Sequence, residues 1–539
     1  MEKRALIAVA ISIFILVFYQ GVVLRRLYPP PPPGEPALSP TPTAEVPAAP
    51  APKIPAAQLA MPPQATRPDG RRITVETELY RAIFTSAGAR LERFELKRYR
   101  TTVDPASPPQ EMIVPGREGE SPLGVEVHGA QPLSDSNVLY SVEGGDLHLT
   151  GVEEGSLDFI GQENGVVLQK RFTFRGDRYE FLAIVQGDFG QYQANEVAVS
   201  WVKGQGATPQ PGSDVVYNHA IYLDGRKFNE EALDAIAGSK TVSGDIRWAG
   251  FAGRHFLAMM VPVEAENERL GLSIRDHTVE QKLIFPVGPG TFRQRLNIFI
   301  GPKEFDALDR AGYGLSRAVN LGWFDFIAVP LLHELKLSHT ISGNYGVDII
   351  LLTMLIKILF IPLTHRSFKS MQAMQKLQPQ MAKIRERFKD TPEQMNKEVM
   401  ELYRRHKVNP LGGCLPMVLQ IPVFIGLYEA LLNTVELRHA PFFLWINDLS
   451  APDRLGSLQL PFVQDPGVPV LTLLMGISMF VQQWMTPSAA DPAQQRVMMI
   501  MPLMFTFMFV NFPSGLALYW LVNNLLTIAQ QFYMNRTAT

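Results

Sequence analysis

A single cysteine, Cys414, is present, so neither an intramolecular disulfide nor a multi-thiolate metal site can form, and any exported part has to be stable on its core alone. Cys414 itself reads as a small buried hydrophobe. Charge is scarce as well. Asp, Glu, Lys and Arg make up 19% of the 539 residues, against roughly 25% in soluble proteins. The net charge of -2 gives no general attraction for nucleic acid or another polyanion. There is no G-x-x-x-x-G-K-[ST] loop, no complete G-x-G-x-x-G and no G-x-S-x-G. His333-Glu334 starts like a zinc-protease helix, but Leu337 stands where the second histidine belongs. The sequence thus implies no cofactor, no metal and no enzyme.

What is present is uncharged length. Ala5 to Leu24 runs twenty residues without a charge, about 30 Å as a helix and enough to cross a hydrocarbon core. Lys3 and Arg4 precede it, Arg25 and Arg26 close it, and no clear A-x-A site follows, so residues 1–28 read as an uncleaved anchor rather than a signal peptide. Five further spans are expected at about 345–365, 414–434, 468–485, 497–512 and 514–533. The last two share one uncharged block of 39 residues, Val497 to Asn535, broken by a turn at Asn511-Phe-Pro-Ser-Gly515.

Loop charge gives direction. Arg366 to Lys407 carries eleven Lys or Arg against five Asp or Glu, whereas Val435 to Gly467 carries only Arg438 and Arg454 against Glu436, Asp448, Asp453 and Asp465. Basic loops stay in the cytoplasm, so the first loop is inside and the second outside. Counting across the spans puts residues 29–340 outside and both termini inside.

Fifteen prolines between Pro29 and Pro68 make residues 29–70 a semi-rigid tether. From 71 to 305 the pattern alternates, as in Ile73/Val75 and Tyr80/Ala82/Phe84, and predicts a β-sandwich. Its clearest hairpin joins Val167–Phe174 to Tyr179–Val185 through Arg175-Gly-Asp-Arg178, where Gly-Asp serves a tight turn rather than adhesion. The apolar stretch Leu321–Leu332 is too short to span, and residues 318–340 are expected to lie in the outer interface as an amphipathic helix, with Trp323 and Phe324 at headgroup depth.

Polar side chains are costly in a bilayer, and Lys357 is the sharpest of them. It lies nine residues before Arg366, roughly 13 Å along a helix. Either it serves a wet cavity or it snorkels to the boundary. Gln420, Asn433, Gln482, Gln483, Asn523, Asn524, Thr527 and Gln530 add hydrogen-bonding capacity, as interhelical glue or as binding groups. Residues 366–407 read as a cytoplasmic helical hairpin. Its methionines, Met371, Met374, Met381 and Met395, either adapt to varied apolar segments or fill the hairpin's own core.

Several ordered motifs then resemble the YidC-type membrane-protein insertases: Val408-Asn-Pro-Leu-Gly-Gly-Cys-Leu-Pro416, Gln420-Ile-Pro-Val-Phe424 and Leu427-Tyr428. Val435-Glu-Leu-Arg438, Pro441-Phe442, Leu444-Trp-Ile446, Asp491-Pro492, Gln494-Gln495, Pro502, Phe512-Pro-Ser-Gly-Leu516, Tyr519 and Asn524 continue the series across the C-terminal 220 residues. The resemblance implies a multi-domain membrane protein. An all-β periplasmic supersandwich of carbohydrate-binding type is joined to an α-helical transmembrane bundle of six spans, five of them an insertase core, with a cytoplasmic helical hairpin. It also implies a substrate groove, here Lys357, Gln420, Tyr519, Trp520 and Asn524. The family usually places arginine where Lys357 stands, so charge is kept and bidentate pairing is lost. Trp520 stands where tyrosine is common. Glu429 has no counterpart in this reading, and the short end after Asn535 argues against strong ribosome tethering by a basic tail.

The function so implied is insertion and folding of inner-membrane proteins without nucleotide. Partners would be newly made membrane proteins, the general secretion translocon, membrane lipids and, transiently, the ribosome through the cytoplasmic loops. The alternatives are a small-solute transporter or channel, which calls for related halves or paired broken helices, and an anchored polysaccharide enzyme, which calls for a carboxylate pair flanking a cleft.

Overall fold

The computed structural model describes residues 70–537 apart from 115–119, 130–131, 190–193, 205–216, 237, 265–267, 276–277, 289–290, 409–414, 460–465 and 487–491. The expected anchor at 1–28, the tether at 29–70 save Gly70, and Cys414 lie outside the described residues.

Three sheets form the β region among the described residues. In a nine-stranded antiparallel sheet, Thr291–Pro302 lies between Glu180–Asp188 and Phe256–Pro262. Val166–Arg175, Glu154–Glu163 and Ser141–Glu143 follow on one side, and Ile246–Ala252, His219–Asp224 and Lys227–Ala232 on the other. A six-stranded sheet runs Ser239–Ser243, Arg269–Arg275, Thr278–Pro286, Glu196–Gly204, Gly124–His128, Leu133–Ser134. A five-stranded sheet runs Pro109–Glu111, Arg90–Arg100, Tyr80–Thr85, Arg72–Glu76, Leu147–His148, the last pair parallel.

The alternation in the sequence is what buries one face of each strand. In Val166–Arg175 the even-numbered Val166, Leu168, Lys170, Phe172 and Phe174 are buried, while Val167 and Arg171 are exposed. Asn164 and Gly165, both at positive φ, turn that strand back from Glu154–Glu163, as a two-residue hairpin requires. At Arg175-Gly-Asp-Arg178 a Cβ on Gly176 would meet Thr150 and Gly151 backbone at 2.8 Å, so the tripeptide is packed as a turn. Phe84 of the five-stranded sheet packs on Phe172, Phe174 and Phe181 of the nine-stranded sheet at 4.9, 5.5 and 6.0 Å, which fastens the two together.

Lys170 is the exception on the inward face. Its ammonium, 1% exposed, donates to the Gly88 and Leu123 carbonyls at 2.8 and 2.7 Å and pairs with Asp135 at 2.5 Å. Asp135 also accepts from Arg90 at 2.8 Å and from the Val125 amide at 3.0 Å. Burial pushes the Lys170 amine down to about 8, against the pull of Asp135. One buried ion pair therefore ties segments of all three sheets.

Eight α-helices follow among the described residues: α1 Phe305–Ala311, α2 Asp325–Ser342, α3 Tyr345–Arg387, α4 Pro392–Arg405, α5 Leu415–Asn433, α6 Val470–Met485, α7 Pro492–Phe509 and α8 Ser514–Thr537. Of the described helices, α3 is long and apolar enough to cross a membrane, and Leu419–Asn433, Val470–Met485 and Met498–Phe509 are shorter apolar stretches.

One helix of 43 residues, α3, runs through both the expected span at 345–365 and the start of the expected hairpin at 366. Helical hydrogen bonding continues through Arg366 because that residue is exposed and needs no break to reach water. The interfacial helix starts later than 318. Trp323 and Phe324 belong to a short 3-10 turn, Gly322–Phe324, ahead of α2, and Trp323 is 95% exposed.

Two residues, Gly343 and Asn344, join α2 to α3. Gly343, at φ 64°, closes α2 through its amide to the His339 carbonyl at 3.0 Å. The Asn344 side chain then accepts from the Gly346 and Val347 amides at 2.9 and 3.2 Å, capping α3.

Candidate functional site

On α3, Leu351, Met354, Leu355, Ile358, Leu359 and Ile361 are exposed, an apolar stripe of the kind that faces lipid. Lys357 is half-buried, and its ammonium turns to α8 instead of along its own helix. There it donates to Thr527 Oγ1 at 2.5 Å and to Asn523 Oδ1 at 3.3 Å. Further along, Gln530 Nε2 donates to Thr364 Oγ1 at 2.9 Å, and Gln372 Nε2 to Asn535 Oδ1 at 3.3 Å. Residues 357, 364 and 372 recur about every two turns, as a straight contact line between two co-directional helices requires. A polar seam thus joins α3 to α8.

A second seam runs about 100° away around α8. Asn524 Nδ2 donates to Ser478 Oγ at 2.9 Å and Gln531 Nε2 to Thr486 Oγ1 at 3.0 Å, both beside α6. Gln420 of α5 donates to the Tyr519 hydroxyl. The Trp520 ring sits among Phe424, Phe505 and Phe509, with centroids at 4.9, 6.1 and 5.3 Å.

Of the five residues expected to form one groove, the hydrogen bonds therefore join Gln420 with Tyr519, send Asn524 to α6, and join Lys357 to neither group. Lys357 meets Asn523 and Thr527 instead. Among the described residues no carboxylate lies within ion-pair distance of it, and no cluster of three or more His, Cys, Asp or Glu could hold a metal.

In the hairpin, Leu377 and Met381 of α3 pack on Leu402 of α4, and the Tyr403 hydroxyl lies 3.4 Å from the Met381 sulfur. Met381 and Met395 are buried, Met371 and Met374 are half-buried, and Met400, which the sequence reading passes over, is 56% exposed.

The loop from Thr434 to Gly456 closes the other end of the helices. Asp453, 4% exposed, accepts from the Leu471 amide at 2.7 Å and the Thr472 hydroxyl at 3.1 Å, capping α6. Arg454 donates to the Val510 carbonyl past the end of α7 at 2.9 Å. Leu449 and Ala451 carbonyls receive the Gly515 and Ser514 amides of α8 at 2.9 and 2.7 Å. Arg438 reaches the β region, donating to the Arg100 and Thr101 carbonyls and to Gln110 at 2.7, 3.1 and 3.2 Å. Lys336 of α2 bridges Asp306 of α1 and Glu436 at 2.9 and 2.8 Å. Glu429, unexplained by sequence, accepts from Asn433 one turn on at 3.0 Å and lies beside Gly322.

Sequence reasoning missed Ser478, Thr486 and Thr364, since a lone Ser or Thr in an apolar run bonds its own helix at no cost and gives no signal. Asp453 did have one: an acid eighteen residues before an apolar run whose entry lacks its own cap.

Residues 72–333 match the family model described as the YidC periplasmic domain, and residues 337–539 match that of the 60Kd inner membrane protein. The membrane protein insertase YidC of Syntrophobacter fumaroxidans is 41% identical over 555 residues, covering 100% of both chains. Those of Oleidesulfovibrio alaskensis and Pelobacter propionicus are 38% and 41% identical, each over 99% of both chains. Among solved structures, an active YidC insertase with its first transmembrane domain resolved is similar at 20% identity and a TM-score of 0.37, over 87% of this chain and 95% of that one.

Proposed function

The chain belongs to the YidC family of membrane protein insertases, and from that premise we propose that it inserts and helps fold inner-membrane proteins through a positively charged polar path beside α8, without nucleotide. In this reading residues 1–28 and five later segments cross the inner membrane, residues 29–340 are periplasmic, and both termini are cytoplasmic. The hairpin at 366–407 receives a hydrophobic segment. Its polar flank is drawn toward Lys357, and the segment leaves into lipid along α5 and α7. Apolar transfer, helped by the membrane potential acting on acidic tails, supplies the drive.

The observation that carries the reading is the half-buried Lys357 ammonium held by two neutral acceptors, with no carboxylate partner among the described residues. A cation so placed has attraction left for an acid on a passing chain. The Met381 and Met395 side chains, buried against the hairpin, take up substrate only if its two helices part; Met371, Met374 and Met400 are accessible as they stand. The half-buried Gln420 and Trp520 form an amide and aromatic wall that an apolar segment can slide past, with the buried Tyr519 hydroxyl holding Gln420 from behind. Work beside the general secretion translocon, contact with lipids and transient contact with the ribosome through the cytoplasmic loops belong to the same reading. A small-solute transporter is not favoured, because the full-length relatives are insertases by name.

Purified protein in liposomes, given a single-span substrate with an acidic exported tail, is the test. Protected tail above the level in empty liposomes is expected. Insertion no better than empty liposomes sinks the insertase reading.

A further inference from the structure

Lys357 has an arrangement more specific than a loose cation in a polar path. A lysine ammonium has three N–H donors and no acceptor. Two are used, one on Thr527 Oγ1 at 2.5 Å and one on Asn523 Oδ1 at 3.3 Å. The Thr527 hydroxyl donates its own proton to the Asn523 carbonyl at 2.7 Å, so its oxygen can only accept from the lysine. Asn523 and Thr527 are one turn apart on α8 and present both acceptors on one face. The stem is thereby held across to α8 in place of the extended conformer that would carry the charge to the membrane boundary.

We infer that Asn523 and Thr527 are positioning residues that hold the Lys357 ammonium at a fixed height with one N–H left for a single carboxylate oxygen of an entering chain, making the insertase selective for acidic tails. The inference rests on the insertase reading above. It assigns the selectivity to a three-residue unit across α3 and α8, and gives a compact point charge the orientation that an arginine fork would carry in its own plane. Both holders are neutral, so the net charge offered to the substrate is undiminished. A carboxylate at either position would cancel it.

The experiment uses the full-length chain in proteoliposomes and two forms of one single-span substrate, whose exported tail carries either one aspartate or asparagine in its place. The quantity read is the ratio of acidic to neutral insertion, whatever the absolute rate. Loss of one hydrogen bond to a charged group is expected to lower that ratio about tenfold in Thr527→Val. Thr527→Ser, which restores the acceptor, should keep the wild-type ratio. Asn523→Asp, which supplies Lys357 with a permanent counter-ion, should bring the ratio to that of Lys357→Met. The inference is overturned if Thr527→Val and Asn523→Asp both keep the wild-type ratio, or if they lower both substrates equally, as loss of packing alone would do. Wild-type protein that inserts neither tail above empty liposomes overturns the insertase reading itself, and this inference with it.

Discussion

The guanidinium of Arg438 lies 5.2 Å over the ring of Phe256, joining the loop after α5 to a central strand of the nine-stranded sheet. Arg438 is 8% exposed and donates at the same time to the Arg100 and Thr101 carbonyls and to Gln110. Lysine can supply the charge but neither the flat face nor the fork. Arg438→Lys and Arg438→Ala are both expected to loosen this junction, the second by about 3 kcal/mol or more because buried carbonyls lose their donors. Limited proteolysis at residues 101–108 should accelerate in both variants. Unchanged cleavage in Arg438→Ala would show that the junction is held elsewhere.

Asp135 and Lys170 make a second test, inside the β region. Asp135→Ala leaves the Lys170 ammonium buried without its counter-ion and is expected to cost about 3–5 kcal/mol, read as a fall in the denaturant midpoint. The pair also sets a pH dependence. Lys170 sits at about 8 in the fold against 10.5 in the ordinary case, so between those values the unfolded chain keeps a proton that the fold has released. Stability should therefore rise with pH through that window. Lys170→Met removes the titrating group, and its midpoint should lack that part of the rise. Parallel curves for the two proteins would contradict the burial argument.

Asp453 accepts two donors at the start of α6, where Pro469 offers no side-chain cap of its own. Asp453→Ala should lower stability by about 1–2 kcal/mol, as loss of a helix N-cap does, and Asp453→Asn by less. Thermal unfolding in detergent reads both.

Gly476 marks the close approach of α6 and α7. A Cβ there would lie 2.1 Å from Thr506 Oγ1, which itself donates to the Pro502 carbonyl at 2.7 Å. Gly476→Ala is expected to destabilise by about 1–3 kcal/mol through overpacking. Adding Thr506→Ala should return part of that loss. Equal loss in the single and double variants would place the strain in the backbone and not in this pair.

Much of this was visible in the sequence, for reasons that differ by element. The alternation in Val166–Arg175 and the Arg175-Gly-Asp-Arg178 turn announce a hairpin with Glu180–Asp188 because both signals are local. The order of distant strands leaves no such mark: Lys282 meets Glu126 across 156 residues, over the strand Glu196–Gly204 that pairs with both, and nothing in any of the three patterns specifies the others. Lys357 stood out because a cation in an apolar run is costly, but its partners did not. Asn523 and Asn524 are neighbours in sequence and about 100° apart around α8, so one faces α3 and the other α6. Choosing between them requires knowing how the helix is rotated, which the apolar residues surrounding α8 on every side do not encode.

The loop that carries Arg438, Asp453 and Arg454 has one more consequence. Because a single stretch of chain supplies end groups to α6, α7 and α8 and also grips the strand edge at Arg100 and Thr101, none of these ends can fray alone. Their amides belong to one opening unit, and hydrogen exchange at Leu471, Ser514 and Gly515 should share a common opening free energy, higher than that of any one helix terminus left to itself.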